Sequence, residues 1–190
     1  MNRDLPPPPL ALLPAHERHI ADLGVRAYAS VASPAAILRL FRTEAGRTLA
    51  MSRRLTRAQG FERVAISRFA GIERESCHWS VYMTLDHLVM VNTAITALIH
   101  AICVDADHGV EIQLADVWPH ENAGADRIHA LSAVVERYSR LIERLGSLRS
   151  RARYPHPWFG TLTARQWHAL AAIHNRTHRI QIEKIVQRLD

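Results

Sequence analysis

The sequence predicts an all-α protein built as a four-helix bundle, and three observations carry that prediction. Four long stretches, residues 33–60, 76–104, 125–148 and 163–189, place their apolar side chains at helical spacing. Two of them open on clear helix-start signals, Ser33 before Pro34 and Thr163 with Gln166 three residues on. No segment alternates convincingly enough for a strand, and no internal repeat is visible. With 190 residues, 48% of them apolar, the chain can bury a core without disulfide or metal staples. The organisation expected is a proline-rich arm over residues 1–15 followed by a single bundle domain over 16–190.

The arm holds four consecutive prolines, Pro6 to Pro9, which impose an extended backbone poor in hydrogen-bond donors. Its apolar part is too short and too rich in proline for a secretory signal. A short helix is expected over 16–29. In the first long helix Ile37, Leu40, Phe41, Thr48, Met51 and Leu55 form one stripe, and Ser33 caps it. Residues 61–75, with Gly71, read as a long irregular crossover.

The second long helix, 76–104, is apolar almost all round, as Trp79, Met83, Leu88, Val91, Ile95 and Ile102 attest. Asn92, Thr93, Thr96 and His100 interrupt it, which suits a buried core helix better than a membrane span. Gly109, Pro119 and several acids break the pattern over 105–122. Near seven-residue periodicity in Ile128, Leu131, Val135, Tyr138, Ile142 and Leu145 predicts the third helix. A turn-rich linker, 149–163, then brackets His156 between two prolines before the Thr163/Gln166 capping box opens the last helix.

The formal charge of +6 and pI near 10.1 come almost wholly from arginine, with Lys184 the only lysine. These arginines are interleaved with glutamates along 39–74 and 137–153, which reads as the salted outer faces of amphipathic helices rather than as a nucleic-acid footprint. The two cysteines, Cys77 and Cys103, lie too far apart along one expected helix to bridge. A soluble cytoplasmic protein is the expectation.

Chemistry concentrates in the histidines. His174 and His178 are four residues apart, so both rings leave one helix face a turn apart and within reach of one ion. At 100° per residue, Trp167, His174, His178 and Gln181 span about 60° of an inward stripe. A metal site needs a third protein ligand, and the best donor elsewhere is His87, on the most apolar helix. The competing reading is three satisfied core or surface histidines, His87 bonded to a carbonyl. Gln181 and Thr84 are the candidates for orienting an imidazole, and His156 for closing over the bundle end as an orienting donor or fourth ligand. Glu44, beside Phe41 and Thr48, is the candidate catalytic proton acceptor; its alternative is a solvent-facing carboxylate paired with Arg47 or Arg39.

WSVYMTLDHLV, the loop HPWFGTLT and the helix QWHALAAIHNRTHRIQ together resemble the DinB/YfiT-like superfamily of metal-binding four-helix bundles, over roughly residues 35–190. The resemblance places the family's metal histidines on His87, His174 and His178. It implies a divalent ion (zinc, nickel or iron) and a homodimer. Members include S-transferases and isomerases that use mycothiol, bacillithiol or glutathione, beside many with no known reaction.

Three neutral imidazoles would leave such an ion its full charge and an open position, where a bound water or thiol ionises near neutral pH. Three functions follow as expectations: a metal-dependent thiol S-transferase or hydrolase acting on a small molecule, a non-catalytic dimeric metal-binding protein, and, least favoured, a DNA-associated damage-response protein.

Overall fold

The computed structural model describes residues 13–104 and 114–189. The chain is all-α in its main elements: α1 (Ala15–Val31), α2 (Pro34–Ser52), α3 (Arg57–Phe61), α4 (Val81–Cys103), α5 (Asp126–Leu145) and α6 (Ala164–Val186). A two-stranded hairpin, β1 (Tyr154–His156) and β2 (Gly160–Leu162), precedes α6. Of the arm expected over 1–15, residues 1–12 lie outside the described residues, as does much of the break at 105–122.

Side-chain caps set the starts of α2, α3, α4 and α6. Ser33 Oγ accepts the amide of Ala36 and Ser80 Oγ that of Met83, each at 3.2 Å. Full capping boxes, Thr56 with Gln59 and Thr163 with Gln166, open α3 and α6. Two expected boundaries are corrected by these caps. The helix expected over 33–60 stops at Ser52, because the Thr56 box restarts the chain in a new direction. The helix expected from residue 76 starts at Val81; Glu75–His78 form a 3-10 turn, so Cys77 precedes the helix that ends at Cys103.

The turn-rich linker expected over 149–163 contains the hairpin. Its three-residue loop, Pro157 to Phe159, closes through Gly160 at φ +62°, the left-handed position such loops require.

Two apolar layers fix the direction of the long helices. One gathers Phe41, Ile95, Ile102, Ile142 and Trp167 with Val25 of α1; the other gathers Leu49, Leu85, Leu88, Leu131 and Ile182. Helices α2 and α6 enter the first layer with their N-terminal halves and the second with their C-terminal halves, and α4 and α5 do the reverse. Contacts close a ring, α2 on α6, α6 on α4, α4 on α5 and α5 on α2, with α1 against α6.

This ordering moves the crossover. The segment before α4 stays at the second layer, where Ile66, Ile72 and Cys77 are buried, so it joins α2 to α4 at one end. Helix α4 ends at the first layer and α5 starts at the second, so these two helices point the same way, and residues 114–125 lead into α5.

Between the layers lies a polar belt. Asn92 and Asn175, both fully buried, exchange amide hydrogen bonds at 3.2 and 2.9 Å. His168 is also fully buried: it accepts from the Tyr138 hydroxyl at 2.6 Å and donates to the Pro34 carbonyl at 3.0 Å.

Helix α4 is long and apolar enough to cross a membrane by composition, but half of that stretch is buried inside the fold. Several arginines tie segments together, among them Arg68 to Glu17, Arg165 to the Ala32 carbonyl and Arg188 to the Ala65 carbonyl.

Gly60 of α3 packs under the buried ring of Tyr82, where an added Cβ would lie 2.1 Å from Tyr82 Cζ. That ring meets Phe61 edge to face at 5.1 Å. Gly60→Ala is expected to lower unfolding free energy by about 1–3 kcal/mol in denaturant titration; an unchanged midpoint would contradict this packing.

Candidate metal centre and its cavity

The polar belt brings His87 of α4 to His174 and His178 of α6. The Nε2 atoms of His87 and His178 each lie 3.1 Å from Nε2 of His174, and one ligand atom from each ring falls within 4.8 Å of the others. A tetrahedral ion with bonds of about 2.0–2.1 Å holds its nitrogens about 3.3 Å apart. The two separations from His174 therefore match a shared ion within a few tenths of an ångström.

Hydrogen bonds at the far side of two rings set their protonation. His87 Nδ1 donates to the Val117 carbonyl at 2.6 Å, and His178 Nδ1 to Gln181 Oε1 at 2.6 Å. Gln181 is itself held, because its Nε2 donates to the Ser76 carbonyl at 2.7 Å and so turns Oε1 towards His178. Both Nε2 atoms are thus bare lone pairs facing His174. A single proton on His174 would have to be shared between two acceptors, whereas a cation satisfies all three nitrogens at once. The Nδ1 of His174 is buried without a partner among the described residues.

Burial keeps the rings neutral. It pushes His87 down to about 4 against the Val117 bond that raises it, and His178 to about 3, where His87 adds to the effect and Gln181 opposes it. His174 is held well below the ordinary 6.5 by burial, then by His178 and His87. Neutral imidazole is the form that binds a metal.

Gln181 thus orients an imidazole as expected. Thr84 does not: its hydroxyl donates to the Ser80 carbonyl one turn back at 2.9 Å, as a mid-helix threonine commonly does. His156 stays outside the triad. It stacks on Phe159 at 4.5 Å, and its Nδ1 accepts the Trp158 amide within the hairpin loop.

Glu44 is neither solvent-facing nor free. It is buried on α2, with its carboxylate 2.6 Å from Arg179 Nε and 3.6 Å from Arg47, and it does not line the cavity beside the histidines. Glu44 is thus held in an ion pair and set away from the cavity lining.

That cavity, of about 140 Å³ and partly open, is lined by the triad and His156 with Trp79, Trp118 and Trp167 among its walls. Trp79 lies parallel to His178 at 6.2 Å and meets Trp118 edge to face at 5.2 Å.

Spacing along the chain gave no signal for Trp118 or the Val117 carbonyl, because both arrive on the crossover. Asp86 pins that segment. Buried on α4 beside His87, it accepts the His120 amide at 2.9 Å, His120 Nδ1 at 2.8 Å and Arg127 at 3.3 Å. Consecutive residues of α4 therefore grip the crossover at two points, Val117 and His120.

Comparison with protein-family models, curated proteins and solved structures gives no match.

Asp86→Ala should free the crossover and loosen the Val117 contact, weakening zinc binding by about tenfold in competition titration, a typical cost for disturbing the partner of a ligating histidine. Unchanged affinity would mean that Val117 is held by other contacts.

A pH dependence follows from the histidines. Their folded values lie below the unfolded 6.5, at about 4 for His87, His156 and His168 and about 3 for His178. Between pH 6.5 and 4 the unfolded chain binds more protons, so the metal-free protein should hold its stability above pH 6.5. It should lose up to about 1.4 kcal/mol per pH unit per histidine as pH falls through that window. Thermal unfolding in chelator across pH 4–8 measures it.

Proposed function

We propose that this chain is a three-histidine metalloprotein of the DinB/YfiT-like kind, whose divalent ion serves thiol S-transfer or hydrolysis on a small molecule. The observation that carries the reading is the meeting of three Nε2 atoms, two of them with their protons drawn to the opposite side of the ring. The order of the residues supports the family: His87, then the hairpin loop with its Phe159-Gly160, then Trp167, His174 and His178. When bound, a divalent ion on three neutral ligands makes water or a thiol acidic enough to ionise near neutral pH.

The chain's own residues prepare for this. The Val117 carbonyl and Gln181 aim two lone pairs inward, and burial withholds protons that would compete with the ion. Trp79, against both His87 and His178, keeps that side of the site dry. Zinc, nickel and iron all suit imidazole donors, and the donor set does not choose among them.

The pairing of Glu44 with Arg179 favours a second reading, a metal-binding protein without turnover. Persistent inactivity of the metal-loaded protein against thiol and electrophile panels would select it.

Gently purified protein should carry close to one transition metal per chain by elemental analysis, and His87→Ala and His178→Ala should each lose it. Added zinc at about a hundredfold excess over Kd should stabilise the wild-type fold by about 2.7 kcal/mol. Protein that carries no metal and gains no stability from zinc, nickel or iron would end the proposal.

A further inference from the structure

The cavity beside the triad has a composition of its own. Its volume of about 140 Å³ is close to the roughly 150 Å³ at which a dry apolar cavity admits benzene. Its walls include Trp79, Trp118, Trp158, Phe159, Trp167 and Leu170. Among the described residues lining it there is no lysine or arginine, and Glu73 is the sole carboxylate. In a chain whose net charge is +6, this absence of cations is specific to the cavity.

Glu73 makes no ion pair among the described residues. Burial and then Glu75 raise its carboxyl above the ordinary value, against a bond to its own backbone and the charge of Arg68, which lower it. A second carboxylate brought in on a ligand would be desolvated beside Glu73, with no lysine or arginine among the described residues of the lining to receive it.

From the cavity's size, its aromatic walls and the lone carboxylate of Glu73 we infer that the ligand is a ring-bearing apolar molecule with one metal-binding head group and no negative charge on its body. This deepens, and rests on, the reading of the triad as a divalent-metal site. The ring fills the space between the indoles, the head group reaches the histidine side, and Glu73 turns away anionic bodies. Thiols that carry carboxylates, glutathione among them, fit poorly.

Cobalt(II)-loaded full-length protein tests this, because thiolate binding to cobalt is read as charge-transfer absorption. Benzyl mercaptan is expected to bind at least about tenfold more tightly than 2-mercaptoethanol, from burial of the ring. It should also bind about tenfold more tightly than 4-(mercaptomethyl)benzoate, which differs only in its carboxylate. Glu73→Gln should narrow the second gap by tightening only the carboxylate probe.

Equal or tighter binding of the benzoate overturns the inference, as does an absent ring effect or a gap that Glu73→Gln leaves unchanged. Absence of cobalt d–d bands before any thiol is added is a distinct result. It overturns the metal reading, and this inference with it.

Discussion

Three imidazole Nε2 atoms meet inside the bundle, and one proton on His174 is all that could bridge them without a cation. Two of the rings have their protons drawn away, one to a backbone carbonyl and one to a glutamine amide, so the electron-rich edges face inward. Burying such edges without a partner costs on the order of 1–3 kcal/mol each. A fold that retains this arrangement between two apolar layers has a polar centre that a cation would complete.

The layers explain how the centre is held. Apolar packing at both ends of the bundle leaves a belt in which Asn92 bonds Asn175, Glu44 bonds Arg179, and the histidines meet. Asn92 with Asn175 and Glu44 with Arg179 are matched across helix pairs, whereas the Nδ1 of His174 and the buried hydroxyl of Thr48 have no partner among the described residues. Helix α6 supplies a partner to every one of these pairs, which accounts for its central place against α1, α2 and α4.

The connection between α4 and α5 belongs to the site as much as the helices do. Because these two helices run the same way, the chain must return along the bundle, and that return brings the Val117 carbonyl to His87 and Trp118 to the cavity wall. Asp86 anchors it through His120 and Arg127. The hairpin before α6 plays the corresponding part at the other side, delivering His156, Trp158 and Phe159. Helices thus set the ligand spacing, and loops set the shape and polarity of the space in front of it.

The amino-acid sequence by itself determined the helical class, most helix starts and the pairing of His174 with His178, since these rest on local rules: caps, apolar period and a four-residue turn. Selecting His87 and Gln181 was also within its reach, from their places on apolar helical faces. It misplaced the ends at Ser52 and Val81, where the caps Thr56 and Ser80 outweigh a continuing apolar pattern. Thr84 and Glu44 shared the right faces yet bonded elsewhere, to the Ser80 carbonyl and to Arg179. Only the tertiary structure decided these, together with the crossover, Asp86, the aromatic walls and the solitary Glu73. Each depends on which distant segment arrives opposite, and periodicity along one helix carries no information about its neighbour.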